Sequence, residues 1–132
     1  MLGEYASVAT LPVKDLTAAA EFYETKLGFK RQSETDFEGG VFYCAGKGMF
    51  FVYESTFAGT NQATAMTFQV PPEAFDAEVE GLRSAGVTLE TFEMPGLTWS
   101  DGVATMDEGG GRAVWFKDPD GNFINVDEIP AG

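Results

Sequence analysis

Apolar and polar positions along this chain switch between the two-residue period of a strand and the 3.6-residue period of a helix. Tyr5–Leu11 is rich in β-formers and small residues and predicts a strand. Pro12 closes it, because proline has no N–H to give a ladder. Asp15 is placed to cap a helix. Beyond it Leu16, Ala19, Ala20, Tyr23 and Leu27 recur at helical spacing, with Phe22 beside them. Gly28 stands where a helix ends in a left-handed residue. Phe29–Ser33, Val41–Ala45 and Met49–Glu54 then read as strands, with turns at Gly39-Gly40 and at Gly46-Lys47-Gly48.

A polar, small-residue linker follows from Thr56 to Thr64, and the same order begins again. Thr64–Val70 predicts a strand closed by Pro71-Pro72. Glu73–Ala85 predicts a helix with Phe75, Val79 and Leu82 on one face and Gly86 as its cap. Val87–Phe92 is a strand, and Glu93 to about Val103 reads as a long loop that carries Trp99. Asp107–Gly111 is a turn. Arg112–Lys117 and Asn122–Asp127 form a hairpin around Asp118-Pro119-Asp120-Gly121. Gly28 and Gly86 recur at nearly the spacing of Pro12 and Pro71, which points to an internal duplication of a βαβββ unit. The expected fold is α+β: one domain over residues 1–132, with module one over 5–55 and module two over 64–128. Neither module buries a sheet face alone, so the two must pair, as a curved mixed sheet around a cleft.

Composition narrows the function. A hydrophobic content of 44% argues for a folded globule. The net charge of −13 and pI near 4.1 exclude the basic surface that nucleic acid or an anionic membrane requires. Such acidity suits solubility, or steering of a cationic ligand toward a cleft. Cys44 is the single cysteine, so it closes no intrachain disulfide. Met1-Leu2-Gly3-Glu4-Tyr5 has neither a basic nor an apolar leader region, so a cytoplasmic protein is expected. Most telling, there is no histidine, the commonest transition-metal ligand and neutral-pH base.

Three segments carry a family resemblance. Leu11-Pro12-Val13-Lys14-Asp15-Leu16, with Glu21-Phe22-Tyr23 and Leu27-Gly28-Phe29, resembles the opening of the vicinal oxygen chelate superfamily of glyoxalases, extradiol dioxygenases, and fosfomycin and bleomycin resistance proteins. Ala85-Gly86-Val87 looks like its second-half counterpart. Phe116-Lys117-Asp118-Pro119-Asp120-Gly121-Asn122-Phe123-Ile124 is similar to its C-terminal hairpin. The resemblance implies four inward-facing ligand positions, usually His or Glu in metal-dependent members. Carried onto this chain they fall at Val8, Phe50, Ala65 and Asn125. None of these anchors a transition metal: three have no donor atom, and Asn is a weak neutral ligand. The expectation is no metal and no cofactor.

Residues sharing strand parity with those positions are then expected in the cleft. They are Ala6, Val8 and Thr10; Phe50, Val52 and Glu54; Ala65, Thr67 and Gln69; Phe123, Asn125 and Asp127. From these, Val8, Thr10, Phe50, Val52, Ala65, Thr67, Gln69 and Asn125 are the candidate ligand contacts, together with Trp99 from the loop. The set is mostly apolar with a few hydroxyl, amide and acid groups, as in a small-molecule pocket. The first expectation is a metal-independent, homodimeric binding protein that sequesters an aromatic or cationic organic compound, akin to bleomycin resistance proteins. The alternative is a lyase- or isomerase-type enzyme using Glu54, Asp127 or a Tyr as acid–base group, or a metal held by relocated oxygen ligands. A serine triad is excluded without histidine. Asp118 and Asp120 are read as turn formers.

Overall fold

The computed structural model describes residues 1–33 and 39–128. After a 3₁₀ turn at Leu2–Glu4, module one contains β1 (Ala9–Val13), α1 (Leu16–Ala20), β2 (Gly40–Ala45) and β3 (Gly48–Glu54). Helix α1 runs on as a π-helical stretch over Glu21–Lys26. Module two contains β4 (Thr64–Val70), α2 (Pro72–Ser84), β5 (Leu89–Glu90), β6 (Leu97–Ser100), β7 (Val103–Met106), β8 (Arg112–Lys117) and β9 (Phe123–Glu128). The first sheet has the order β1-β3-β2, and the second β4-β9-β8-β7-β6 with β5 beside β8. In each module the first strand lies parallel to the last, β1 with β3 and β4 with β9. That shared topology is the duplication. The architecture is the expected α+β pairing of two βαβββ units.

Local chemistry explains the elements. Asp15 caps α1 by accepting from the Thr17 N–H at 2.8 Å. Gly28 (φ +77°) and Gly86 (φ +80°) both end their helices in the left-handed region that other residues resist. The β2–β3 hairpin closes over Gly46-Lys47, with Ala45 opposite Gly48. Several boundaries differ from expectation. The first strand starts at Ala9 rather than Tyr5 and runs through Pro12, which is tolerated because β1 is the edge strand of its sheet. Phe29–Ser33 is no full strand; it pairs β2 through one bridge, Arg31 to Tyr43. Val87–Phe92 contracts to Leu89–Glu90.

Both helices pack on the same side of the joined sheets. One cluster runs from Leu11, Val13, Tyr23, Tyr43, Phe50 and Val52 to Phe75, Val79, Leu82, Val114, Phe116, Ile124 and Val126. Phe22 meets Phe116 at 6.3 Å and Phe50 meets Phe68 at 6.2 Å between ring centroids, so the modules share this core. Burying each such side chain contributes about 1.5–3 kcal/mol.

A polar clasp also joins the halves. The Asp118 carboxyl accepts from Tyr23 Oη at 2.8 Å, Asn122 Nδ2 at 2.7 Å, and the Asp120 and Asn122 N–H groups at 2.9 Å each. Asn122 Nδ2 also donates to the Pro12 carbonyl at 2.9 Å, and the Lys14 N–H donates to Asp120 Oδ1 at 3.0 Å. Burial pushes the Asp118 carboxyl above the usual carboxylate range despite these donors, and burial likewise pushes the Tyr23 hydroxyl up. The segments that carry the family resemblance therefore bond to one another. Asp118 and Asp120 form the turn, as expected, and fasten it to module one.

Candidate functional site

The faces turned away from the helices form the candidate site. Strands β1 and β4 approach each other where the two sheets meet, without a hydrogen-bonded ladder between them. In parallel and antiparallel ladders, directly paired residues point to the same side. Phe50 and Val52 pair with Ala9 and Leu11 and belong to the core, so Thr10 shares the open side with Phe51. Phe42 and Tyr53 join them there. Phe42 and Phe51 rings stand 4.4 Å apart, and Phe51 and Tyr53 are parallel within 2° at 6.0 Å. Gly40 makes room for this ladder: a Cβ there would fall 2.2 Å from Phe51 Cζ.

In module two, Trp99 pairs with Ala104, Ala104 with Ala113, and Ala113 with Asp127, one row across four strands. Gln69 extends the row beside Asp127. The next row is Trp115, Asn125 and Thr67. Phe92 meets Trp99 at 5.3 Å and Trp115 at 4.9 Å, both edge-on. Trp115 Nε1 donates to Thr64 Oγ1 at 3.2 Å. One cavity of about 550 Å³ opens here, lined by Thr64, Glu90, Phe92, Met94, Trp115 and Phe123 among others. A second, about 490 Å³, lies where the sheet ends beside the start of α2, lined by Gln69, Pro72, Glu108, Arg112, Asp127 and Glu128 among others. Arg112 is engaged by Glu128 and Asp76 at 2.7 Å each.

Two polar atoms here are buried without a partner: Trp99 Nε1 and Asp127 Oδ1. Leaving such a group unsatisfied costs about 1–3 kcal/mol. Burial pushes the Asp127 carboxyl above its ordinary range, opposed by a hydrogen bond from Gln69. A shielded carboxyl so perturbed is suited to proton transfer or to holding a donor.

The expected site residues divide. Thr10, Thr67, Gln69, Asn125, Asp127 and Phe123 lie on the open face; Val8 lies just before β1 and is 40% exposed. Asn125 is buried, its amide donating to the Val114 carbonyl at 3.1 Å. Phe50 and Val52 do not reach this face. They pack in the core, where Tyr23 of the π-helical stretch and Tyr43 of β2 meet the Phe50 ring at 5.6 and 5.5 Å. Glu54 follows their parity and sits at the start of α1, its Oε1 accepting from the Leu16 N–H at 3.5 Å. It therefore does not pair with Asp127. Ala65 falls at a register shift between Thr64 and Met66, which breaks the alternation, and packs against the core. Trp99 lies on β6 rather than on a loop. Asp101 (φ +51°) and Gly102 (φ +78°) make the two-residue turn of the β6–β7 hairpin. An Asp-Gly pair is a strong hairpin signal and was readable in the sequence. Phe42, Phe51, Tyr53, Phe92 and Trp115 were not placed in the cleft by the sequence reading.

The donor set does not fit a transition metal. At the positions the resemblance implies, Val8, Phe50 and Ala65 carry no donor atom and the Asn125 amide is engaged by the Val114 carbonyl; the Asp127 carboxyl on the open face has no thiolate, imidazole or second carboxylate beside it in its row. Among the described residues no three His, Cys, Asp or Glu side chains come together to hold an ion. Among them, too, no helix is long and apolar enough to cross a membrane.

Comparison with known proteins agrees with this geometry. The family model described as Glyoxalase/Bleomycin resistance protein/Dioxygenase superfamily matches residues 5–126. The chain belongs to that superfamily. Among solved structures it is similar to a lactoylglutathione lyase from Agrobacterium tumefaciens, at 18% identity and TM-score 0.68 over 94% of this chain and 92% of that one. A glyoxalase/dioxygenase from Nostoc punctiforme gives 19% identity and TM-score 0.68 over 99% and 96%. A variant of the fosfomycin resistance protein FosX from Listeria monocytogenes, complexed with Mn(II) and a dihydroxypropylphosphonic acid, gives 19% identity and TM-score 0.67 over 92% and 87%. At these identities the likeness establishes the fold. No curated protein sequence matches the chain.

Proposed function

We propose that this chain is a metal-independent small-molecule binding protein that takes up a ring-containing organic compound on the open face of module two. Support comes from one juxtaposition: the Phe92–Trp99–Trp115 aromatic cluster beside a cavity of about 550 Å³, on a face with no transition-metal donor set among the described residues. Apolar walls with a few placed polar groups are the usual composition of such a site. Both tryptophans of the chain stand in this cluster, so intrinsic fluorescence reports on it directly.

The test is a fluorescence titration with aromatic compounds, paired with a thermal-shift screen of divalent metals. Saturable quenching and a raised melting temperature with an aromatic compound, without a response to Mn²⁺, Ni²⁺ or Zn²⁺, supports the reading. Stabilisation by a metal alone overturns it. On the same reading the protein is a homodimer, with exposed Tyr5 and Phe57 as apolar surface for a partner copy. Light scattering that gives a monomer at micromolar concentration refutes that part.

One observation favours an enzyme instead. Asp127 is a shielded carboxyl with a raised pKa at the wall of the second cavity. Acid–base chemistry on a bound substrate would put its proton to use. Turnover abolished by Asp127→Asn, with binding retained, would select this second reading.

A further inference from the structure

The aromatic cavity also holds two charges of opposite sign that do not pair. Glu90 and Lys117 both line the space of about 550 Å³ walled by Phe92, Trp115 and Phe123. The register brings them together. Glu90 pairs directly with Trp115 across the β5–β8 ladder, so the two point to one side. Lys117 stands two residues along β8 from Trp115 and shares that side. Glu90 and Lys117 are therefore diagonal neighbours on adjacent strands, about 7–8 Å apart. Neither makes an ion pair or a side-chain hydrogen bond with any described residue. The Lys117 ammonium lies instead over the Phe123 ring, 5.0 Å from its centroid, at the cavity wall. The three arginines of the chain, by contrast, are all held by carboxylates: Arg31 by Glu24, Arg83 by Asp101, and Arg112 by Asp76 and Glu128. In a chain of net charge −13, an uncommitted cation on an aromatic wall, with an uncommitted carboxylate beside it, is a pair of groups that the fold does not use.

Resting on the proposed binding function, we propose that the ligand of this cavity is a zwitterionic ring compound of the aromatic α-amino acid class, with its carboxylate on Lys117, its ammonium on Glu90 and its ring among Phe92, Trp115 and Phe123. The two charged groups of an α-amino acid share one carbon, so a single molecule meets both side chains across a diagonal gap of this width. A carboxylate alone gains Lys117 and is repelled by Glu90. An ammonium alone gains Glu90 and is repelled by Lys117. A bare hydrocarbon ring uses neither. The Trp115 indole N–H is already given to Thr64 Oγ1, so this residue offers the ligand its ring and no donor. The overall acidity of the chain draws cations toward the molecule, but the charges lining this cavity cancel and favour a ligand that is itself net neutral.

Four compounds on one phenyl ring test the proposal: phenylalanine, phenylpropanoate, phenethylamine and ethylbenzene, titrated by tryptophan fluorescence at pH 7 and low salt. Each solvent-facing ion contact contributes up to about a fivefold gain in affinity, so phenylalanine is expected to bind about tenfold tighter than ethylbenzene. Both singly charged compounds are expected to fall short of phenylalanine. Salt at about 1 M should remove most of the preference, since it screens charges beyond a few ångströms. Lys117→Met should weaken phenylalanine and phenylpropanoate and spare phenethylamine. Glu90→Gln should weaken phenylalanine and phenethylamine and spare phenylpropanoate. The wild-type series needs no variant, so a variant that misfolds does not weaken it. Equal binding of phenylalanine and ethylbenzene overturns the proposal and leaves the ring-binding reading standing. Tighter binding of phenethylamine or of phenylpropanoate than of phenylalanine overturns it in favour of a singly charged ligand. No response to any of the four overturns the binding reading itself, and this inference with it.

Discussion

Removing the Asp118 carboxyl should be the most damaging single change in this molecule outside the hydrophobic core. Asp118→Ala takes one acceptor from four donors at once: the Tyr23 hydroxyl, Asn122 Nδ2, and two main-chain N–H groups. Tyr23 is fully buried and Asn122 is 2% exposed, so water does not replace what they lose. Hydrogen bonds to a charged acceptor contribute about 1.5–3 kcal/mol each, and orphaned buried donors cost about 1–3 kcal/mol each. Against this stands relief from burying a carboxylate, several kcal/mol before its hydrogen bonds are counted. The net expectation is a loss of about 3–5 kcal/mol, the range for breaking one side of a buried charged network. For a chain of this length that lowers Tm by about 10–18 °C. Tyr23→Phe removes a single donor and should cost about 1–2 kcal/mol. Urea unfolding at pH 7, followed by circular dichroism for the whole chain and by tryptophan fluorescence for module two, measures both. An Asp118→Ala variant within about 1 kcal/mol of wild type would refute the claim that this clasp holds the modules together.

Other expectations concern the open face. Asp127 has a folded-state pKa above its unfolded value, so its protonation favours the folded form. The stability it brings is full below the ordinary aspartate range and is lost as pH rises through the raised value. Tm measured from pH 4 to 7 for wild type and Asp127→Asn should therefore show wild type losing more on the way up; parallel curves would remove Asp127 from the account. The comparison is needed because relief of the −13 net charge on acidification acts in the same direction. Gly40→Ala should cost about 1–3 kcal/mol by overpacking against the Phe51 ring, and an unchanged urea midpoint would contradict the packing of the Phe42–Phe51–Tyr53 ladder. Trp115→Ala should abolish quenching by aromatic probes while the far-ultraviolet spectrum of the fold persists; quenching retained at full strength would move the site away from this wall.

The architecture was largely legible because its signals are local. Asp15 caps its helix through its own carboxylate, and Gly28 and Gly86 end their helices through backbone geometry at matching places in the two modules. The face of β3 was not legible. Met49-Phe50-Phe51-Val52-Tyr53 is apolar at every position, so its alternation carries no direction, and a one-residue slip exchanges core for cleft. Only pairing with β1 and contact with Tyr23 decide that Phe50 faces inward. Ala65 escaped for a related reason: a bulge is a change of count that composition does not announce. The β6–β7 hairpin was hidden by Pro95 and Gly96 just ahead of it, although Asp101-Gly102 supplied the turn chemistry. The position of Asp127 on the open face was readable from its distance to the DPDG turn; its lack of a partner was not.

The clasp at Asp118 has a practical consequence. It ties the turn to module one through Tyr23, Pro12 and Lys14, whereas Phe92 and Trp115 line one cavity and Asp127 the other. Fastening and lining are assigned to different side chains, so the lining can be rewritten without loosening the joint. A library randomised at Thr10, Phe51, Thr67, Gln69 and Trp115, with residues 118–122 left alone, would sample new specificities on a frame whose assembly stays fixed.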